Sequence, residues 1–200
     1  MFSDKFALTD AVFEGRKTMT RRIILDYEKY KKLWDDTCRL GTPCFDTFDD
    51  FIIKRKAQYK IGEVVAVAQN YHDVYEELKR THGSSSRVTR EFFHKYVQGG
   101  RMPVSNKMFV RADLMPHQIR ITDVKVERLQ DISDEDCICE GVTWDYDDYP
   151  TMSRKVYIIN DYESFHSPRL AFATLINRIN GKSTWETNPY VFTYTFELIK

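Results

Sequence analysis

Gly15-Arg16-Lys17-Thr18-Met19-Thr20-Arg21-Arg22 joins a helix end to a β-strand and crowds a lysine, arginines and two threonines into the joint. Upstream, Asp4 or Ser3 can cap a helix whose Leu8, Ala11 and Val12 share one face, with Gly15 as its C-terminal stop. Downstream the chain reads as a strand. Such clustering suits anion or polar-ligand chemistry. Lysine can act as a general base if crowded cations lower its pKa, and a threonine hydroxyl can be activated as a nucleophile or hold a water or carbonyl. In an extended strand Lys17 and Thr20 point to opposite faces while Thr20 and Arg22 share one, so bringing Lys17 to Thr20 requires a turn or bulge near Thr18. The same residues also fit an ordinary strand with solvated cations.

A complementary acid lies in Leu129-Gln-Asp-Ile-Ser-Asp-Glu-Asp-Cys-Ile-Cys-Glu-Gly141. Ser133 is a good N-cap, Asp134, Glu135 and Asp136 fill the first turn where the helix dipole favours anions, and Ile132 can staple against Cys137. Gly141 then ends the helix, which leaves Glu140 in its last turn, facing the negative end of the dipole. Such a carboxylate calls for a nearby cation or for solvent.

Working outward, residues 26–58 read as a helical insertion that packs its aromatics (Tyr27, Tyr30, Trp34, Phe45, Phe48, Phe51) on the core. Lys60 to Gln69 gives a turn and a near-continuous apolar run, the pattern of a strand buried on both faces, with Asn70 and Tyr71 leaving its end. Residues 78–107, with Gly83-Ser-Ser-Ser86 and Gly99-Gly100, read as a long loop around a short helix near 88–97. From 117 to 128 the alternation changes face between Ile121 and Val124, which predicts a bulge near Asp123. A further insertion, 144–166, is rich in Asp and Tyr. Ser167-Pro168 starts a helix burying Ala171, Phe172, Leu175, Ile176 and Ile179 before Gly181, and the last strand, Tyr190 to Leu198, sets Tyr190, Phe192, Tyr194, Phe196 and Leu198 on one face. Strands separated by helices of uneven length predict a single α+β domain over 1–200, built on a curved sheet or barrel with flanking helices and insertions at 26–58, 78–107 and 144–166.

The chain has 200 residues, 42% hydrophobic and 30% charged, with a formal net charge of zero. No global field draws it to a nucleic-acid backbone or an anionic membrane, so any such contact must be local. With no signal-like N-terminus and no run of about 18 apolar residues, a cytoplasmic location without membrane insertion is expected. Cys38, Cys44, Cys137 and Cys139 form no C-x-x-C pair, and the histidines lack metal-site spacing. Reduced thiols, no metal and no cofactor are expected.

Gly15-x-Lys17-x-x-Thr20-x-Arg22 resembles the G-x-K-x-x-x-x-R signature of the ASCH domain, a relative of the PUA fold, with threonine at the sixth signature position, which is often glutamate in that family. The strand at Tyr59 to Val67, the segment from Ile121 through Glu140-Gly141, and Ile179-Asn-Gly-Lys with Trp185-Glu-Thr-Asn-Pro-Tyr follow in the same order. The resemblance covers about 120 residues and is nearest to a phage and bacterial branch. It implies a PUA-like fold. One branch of the family hydrolyses N4-acetylcytidine, and its G-R-K-T-x-T-x-R motif matches Gly15, Arg16, Lys17, Thr18, Thr20 and Arg22. The resemblance therefore implies a metal-independent amidohydrolase for an acylated nucleobase or nucleoside, with Lys17, Thr20 and Glu140 catalytic. Gly15 and Arg22 would bind substrate, as would Asn70 and Tyr71 at the end of the buried strand. The alternative is a noncatalytic RNA- or nucleotide-binding module. A ribonuclease using Lys17 and Glu140 ranks below both.

Overall fold

Side-chain caps set several of the helix starts: Thr47, Asn70, Ser86 and Ser133 each accept a hydrogen bond from the backbone N–H three residues on, which satisfies one of the donors a helix leaves open at its N-terminus. The structure is a computed structural model that describes residues 2, 4–41, 45–99, 104–147, 154–160 and 163–199. In chain order the elements are α1 (Leu8–Phe13), β1 (Met19–Ile23), α2 (Tyr27–Arg39), α3 (Phe48–Lys56) and β2 (Val64–Ala66). Next come α4 (Tyr71–His82), α5 (Arg87–Phe92), β3 (Gln118–Arg128), α6 (Asp134–Cys139) and β4 (Thr143–Asp147). The chain ends with β5 (Arg154–Asn160), β6 (Glu163–Phe165), α7 (Pro168–Asn180), α8 (Thr184–Thr187) and β7 (Tyr190–Leu198). The fold is mixed α+β, with a curved, open antiparallel sheet flanked by helices. Among the described residues no helix is long and apolar enough to cross a membrane.

The chain divides into two compact units, one built on Val64–Ile119 and the other on Ser3–Glu63 with Arg120–Leu198. In the larger unit β7 lies between β1 and β3, and β4, β5 and β6 form a separate sheet. β1 and β7 run antiparallel with Thr20 opposite Tyr194, Arg21 opposite Thr193 and Arg22 opposite Phe192. Both faces of β7 are covered at its centre, where Val191, Thr193 and Tyr194 have no exposed surface. Ala11 and Val12 of α1, Leu129, Ile132 and Val142 around α6, and Ala171, Phe172 and Leu175 of α7 complete this core. Aromatics of α2 and α3 pack on one another, with Trp34 against Phe48 and Phe51.

The smaller unit has its own cluster of Tyr71, Val74, Phe92 and Met115. The run at 64–69 is a three-residue strand with Val64 47% exposed, not a strand buried on both faces, because a short apolar run covers one side of a core as readily as two. Residues 78–82 continue α4 up to Gly83, and Ser86 then caps α5. The two caps place a helical turn where polarity alone suggests loop.

Elsewhere β3 is continuous, with Ile119, Ile121 and Val124 buried and Thr122 and Asp123 both exposed, which marks the change of face. Ile179 is 40% exposed and so lies off the buried stripe of α7. The segment read as the 144–166 insertion contains most of β4 together with β5 and β6. Cys38, Cys137 and Cys139 are free thiols. Ser3, Cys44 and Gly100 lie outside the described residues.

Candidate functional site: a buried lysine, glutamate and arginine network

The joint after α1 passes the end of α6, and backbone bonds fix the approach. Lys17 N–H donates to Ala11 O (2.8 Å), Thr18 N–H to Cys139 O (2.9 Å), and Phe196 N–H to Thr18 O (2.8 Å). The six-residue α6 starts on the Ser133 cap, and Glu140 is its C-cap residue. Gly141 follows at φ +108°, and a Cβ there would stand 2.8 Å from Leu8 Cδ2 and 3.6 Å from Lys17 Cδ. Only glycine tolerates both the conformation and that approach.

Lys17 is 2% exposed, and its Nζ donates to Glu140 Oε2 (2.8 Å), Glu140 O (2.7 Å) and Met19 O (2.7 Å). Three acceptors match the three protons of an ammonium; a neutral amine, with two, would turn its lone pair on one of them. Burial pushes the Lys17 pKa below the usual lysine range, Glu140 pulls it back by charge and hydrogen bond, and the Arg22 and Arg21 charges push it down further. Glu140, at the negative end of a short helix, thus has the cation that its position demands.

Arg21 is the hub that sequence reasoning missed. Its side chain has no exposed surface, and its Nη2 reaches Glu127 Oε1 (2.6 Å) and Asp136 Oδ2 (2.7 Å) while Nη1 reaches Glu140 Oε1 (3.2 Å). Burial works against the Arg21 charge, yet Glu140, Asp136 and Glu127 together raise its pKa. Glu127 Oε1 also accepts from Thr193 Oγ1 (2.8 Å), and Lys125 lies 3.5 Å from Glu127 Oε2. β1, β3, β7 and α6 are thereby tied through one polar core. Strand alternation was the available signal, since it sets Arg21 on the same side as Lys17; the carboxylates of β3 and α6 are too far along the chain for spacing to reveal.

Of the residues implicated from sequence, Lys17 and Glu140 meet. Thr20 and Arg22, both half-buried, alternate to the other face of β1 and stand opposite Tyr194 and Phe192. No bulge near Thr18 turns Thr20 toward Lys17. Gly15 is exposed at φ +72°. Asn70 and Tyr71 belong to the smaller unit. Asn70 caps α4, accepting from Asp73 N–H and donating to Asp73 Oδ2. Tyr71 is 5% exposed, its ring edge-on to Phe92 and its hydroxyl accepting from Arg111 N–H at 3.3 Å.

On the Thr20 side of the sheet, Gln58 N–H donates to the Tyr194 hydroxyl (2.8 Å) and Tyr59 packs edge-on to the Tyr194 ring at 5.4 Å. Tyr59 also lines a cavity of about 550 Å³ with Phe45, Asp46, Asp50, Ile53, Lys54, Lys60 and Ile61. That volume lies in the usual range of small-molecule sites. The fold and network define a mixed α+β protein with a buried ionic core. No protein-family model, curated protein or solved structure matches the chain.

Proposed function

We propose that this chain is a noncatalytic nucleotide-binding module on a PUA-like sheet, its ligand seated in the cavity beside Tyr59. The observation that carries the reading is the composition of that cavity, where Phe45 and Tyr59 meet two lysines, Lys54 and Lys60, and two carboxylates, Asp46 and Asp50, in about 550 Å³. Aromatic rings offer flat apolar surface to a base, the lysines offer charge to a phosphate, and a carboxylate can accept from an exocyclic amine. The Lys17 and Glu140 pair, saturated and out of solvent, fits a role in holding the fold. The neutral overall charge agrees with a ligand of nucleotide size, which needs only local cations.

The test is calorimetric titration with the four ribonucleoside monophosphates and their nucleosides. At least one monophosphate should bind saturably, the paired Lys54→Ala and Lys60→Ala change should weaken it, and rising salt should weaken it too. Absence of saturable binding by any of the eight ligands overturns the reading.

A second reading is the amidohydrolase for acylated nucleosides, favoured by the contact between Lys17 Nζ and Glu140 Oε2 at 2.8 Å and by the desolvation of Lys17. In it Lys17 would have to surrender one of its hydrogen bonds to act as a base, and Thr20 would have to reach it from the other face of β1. Acetate release from N4-acetylcytidine, lost in folded Lys17→Ala, Thr20→Ala and Glu140→Gln variants, would establish this reading over the first.

A further inference from the structure

The sheet of β4, β5 and β6 carries an exposed aromatic face that the nucleotide cavity does not use. In the β4–β5 register Trp144 stands opposite Tyr157 and Tyr146 opposite Lys155. Directly opposed residues, and residues two apart, share a face, so these four form one surface. Asp145 and Asp147 fall on the other side with Val156 and Arg154, the latter opposite Asp147. Val156 is 7% exposed, whereas Asp145, Asp147 and Arg154 on the same side are exposed, so that side meets the core only at Val156.

The aromatic side stays open. Trp144 is 48% and Tyr146 55% exposed, their rings 5.8 Å apart and nearly perpendicular. Lys155 Nζ lies 4.3 Å from the Trp144 ring centroid and 5.4 Å from that of Tyr157. Two exposed rings and a third beside them, with one cation threaded among them, combine π-surface with positive charge; the described carboxylates of this sheet are Asp145 and Asp147 on the other side of β4 and Glu163 of β6, which pairs with Arg178 at 2.6 Å. Cross-strand packing alone would favour rings that cover one another; here about half of Trp144 and of Tyr146 is left to water.

We propose that this face binds single-stranded nucleic acid, bases stacking on Trp144 and Tyr146 while Lys155 neutralises a phosphate. Every base has a π-face, so such a platform is tolerant of sequence, and a duplex, whose bases are already stacked, is refused. The site uses none of the residues of the nucleotide cavity and stands or falls separately from it.

Tryptophan emission of the full chain is titrated with dodecameric oligouridylate, dodecameric oligothymidylate and a duplex of equal length. Both single strands should quench saturably, the duplex should not, and the logarithm of affinity should fall linearly with that of salt. Trp144→Leu should weaken binding about 5- to 150-fold, the range of one lost stacking contact. Because Trp144→Leu could loosen the hairpin, Lys155→Gln is measured beside it; that variant retains every ring and should reduce the salt slope by about one. The proposal is overturned by an absence of quenching at low salt, by equal affinity for the duplex, or by a Lys155→Gln variant with unchanged affinity and slope. It is overturned also if Trp144 becomes shielded only on self-association of the chain, since the face would then be a contact between copies.

Discussion

Replacing Glu140 by glutamine removes one charge from the buried network and nothing of its size, so the loss in stability reports the ion pair. The Lys17 side chain is 2% and that of Glu140 6% exposed, which leaves almost no solvent to screen or replace the carboxylate. Breaking a buried pair from one side typically costs about 3–5 kcal/mol, because the partner charge remains without compensation. Arg21 retains Glu127 and Asp136, so the cost falls chiefly on Lys17. With a urea slope of about 2 kcal/mol/M, the midpoint for Glu140→Gln should fall by about 1.5–2.5 M at an unchanged slope. Lys17→Met should cost less, since Glu140 keeps Arg21 Nη1 at 3.2 Å. The double variant should lose less than the sum by about 1–3 kcal/mol, the coupling of residues in contact. Trp34, Trp144 and Trp185 all lie in the unit that holds the network, so tryptophan emission follows the relevant transition. A loss under about 0.5 kcal/mol for Glu140→Gln, or additive single variants, would refute the reasoning.

Gly141→Ala should destabilise by at least about 2 kcal/mol, since it adds a strained left-handed backbone to a clash with Leu8, whereas Gly15→Ala, at positive φ with open space around it, should cost about 1 kcal/mol; thermal unfolding compares the two. Burial pushes the Cys137 thiol from 9.0 up to about 12. The folded state therefore holds its proton longer than the unfolded state, and the stability contributed by this group is intact below pH 9 and lost as pH rises towards 12. Urea midpoints between pH 8.5 and 10.5 should fall less steeply in Cys137→Ala. Cys38, which is exposed, should react with a thiol reagent in the folded chain, and Cys137 only on unfolding, as a timed colorimetric assay would read.

Local signals carried much of this architecture. Ser133, the acidic first turn and Gly141 specify α6 within nine residues, and with it the position of Glu140. Pro168 at the first turn and Gly181 at the end bound α7 in the same way. The contact between Lys17 and Glu140 spans 123 residues, beyond the reach of any periodicity; residue chemistry offered Glu140 as the complementary acid, and the motif resemblance set the two in one site. Arg21 looked like one more solvated cation because its carboxylates come from β3 and α6; alternation in β1 sets it on the side of Lys17, but only those distant partners make that side a buried one. Tyr71 shows the opposite limit. An aromatic at a strand end can line a rim or fill a core, and the difference lies in Phe92 and Met115, which are brought to it by tertiary packing. The hairpin of β4 and β5 was read only as an insertion rich in Asp and Tyr, although Trp-Asp-Tyr-Asp alternates ring with carboxylate at the period of a strand; four residues of alternation were outweighed by the polar run that follows.

The most direct measurement is the side-chain nitrogen signal of Lys17, followed by NMR from neutral pH upward in the intact chain and assigned with Lys17→Met. The account predicts a slowly exchanging ammonium at neutral pH, held by Glu140 and Met19, whose signal does not respond to N4-acetylcytidine. A Lys17 already deprotonated at neutral pH, or one whose titration shifts when that nucleoside is added, would contradict it and return the pair to the role of a general base.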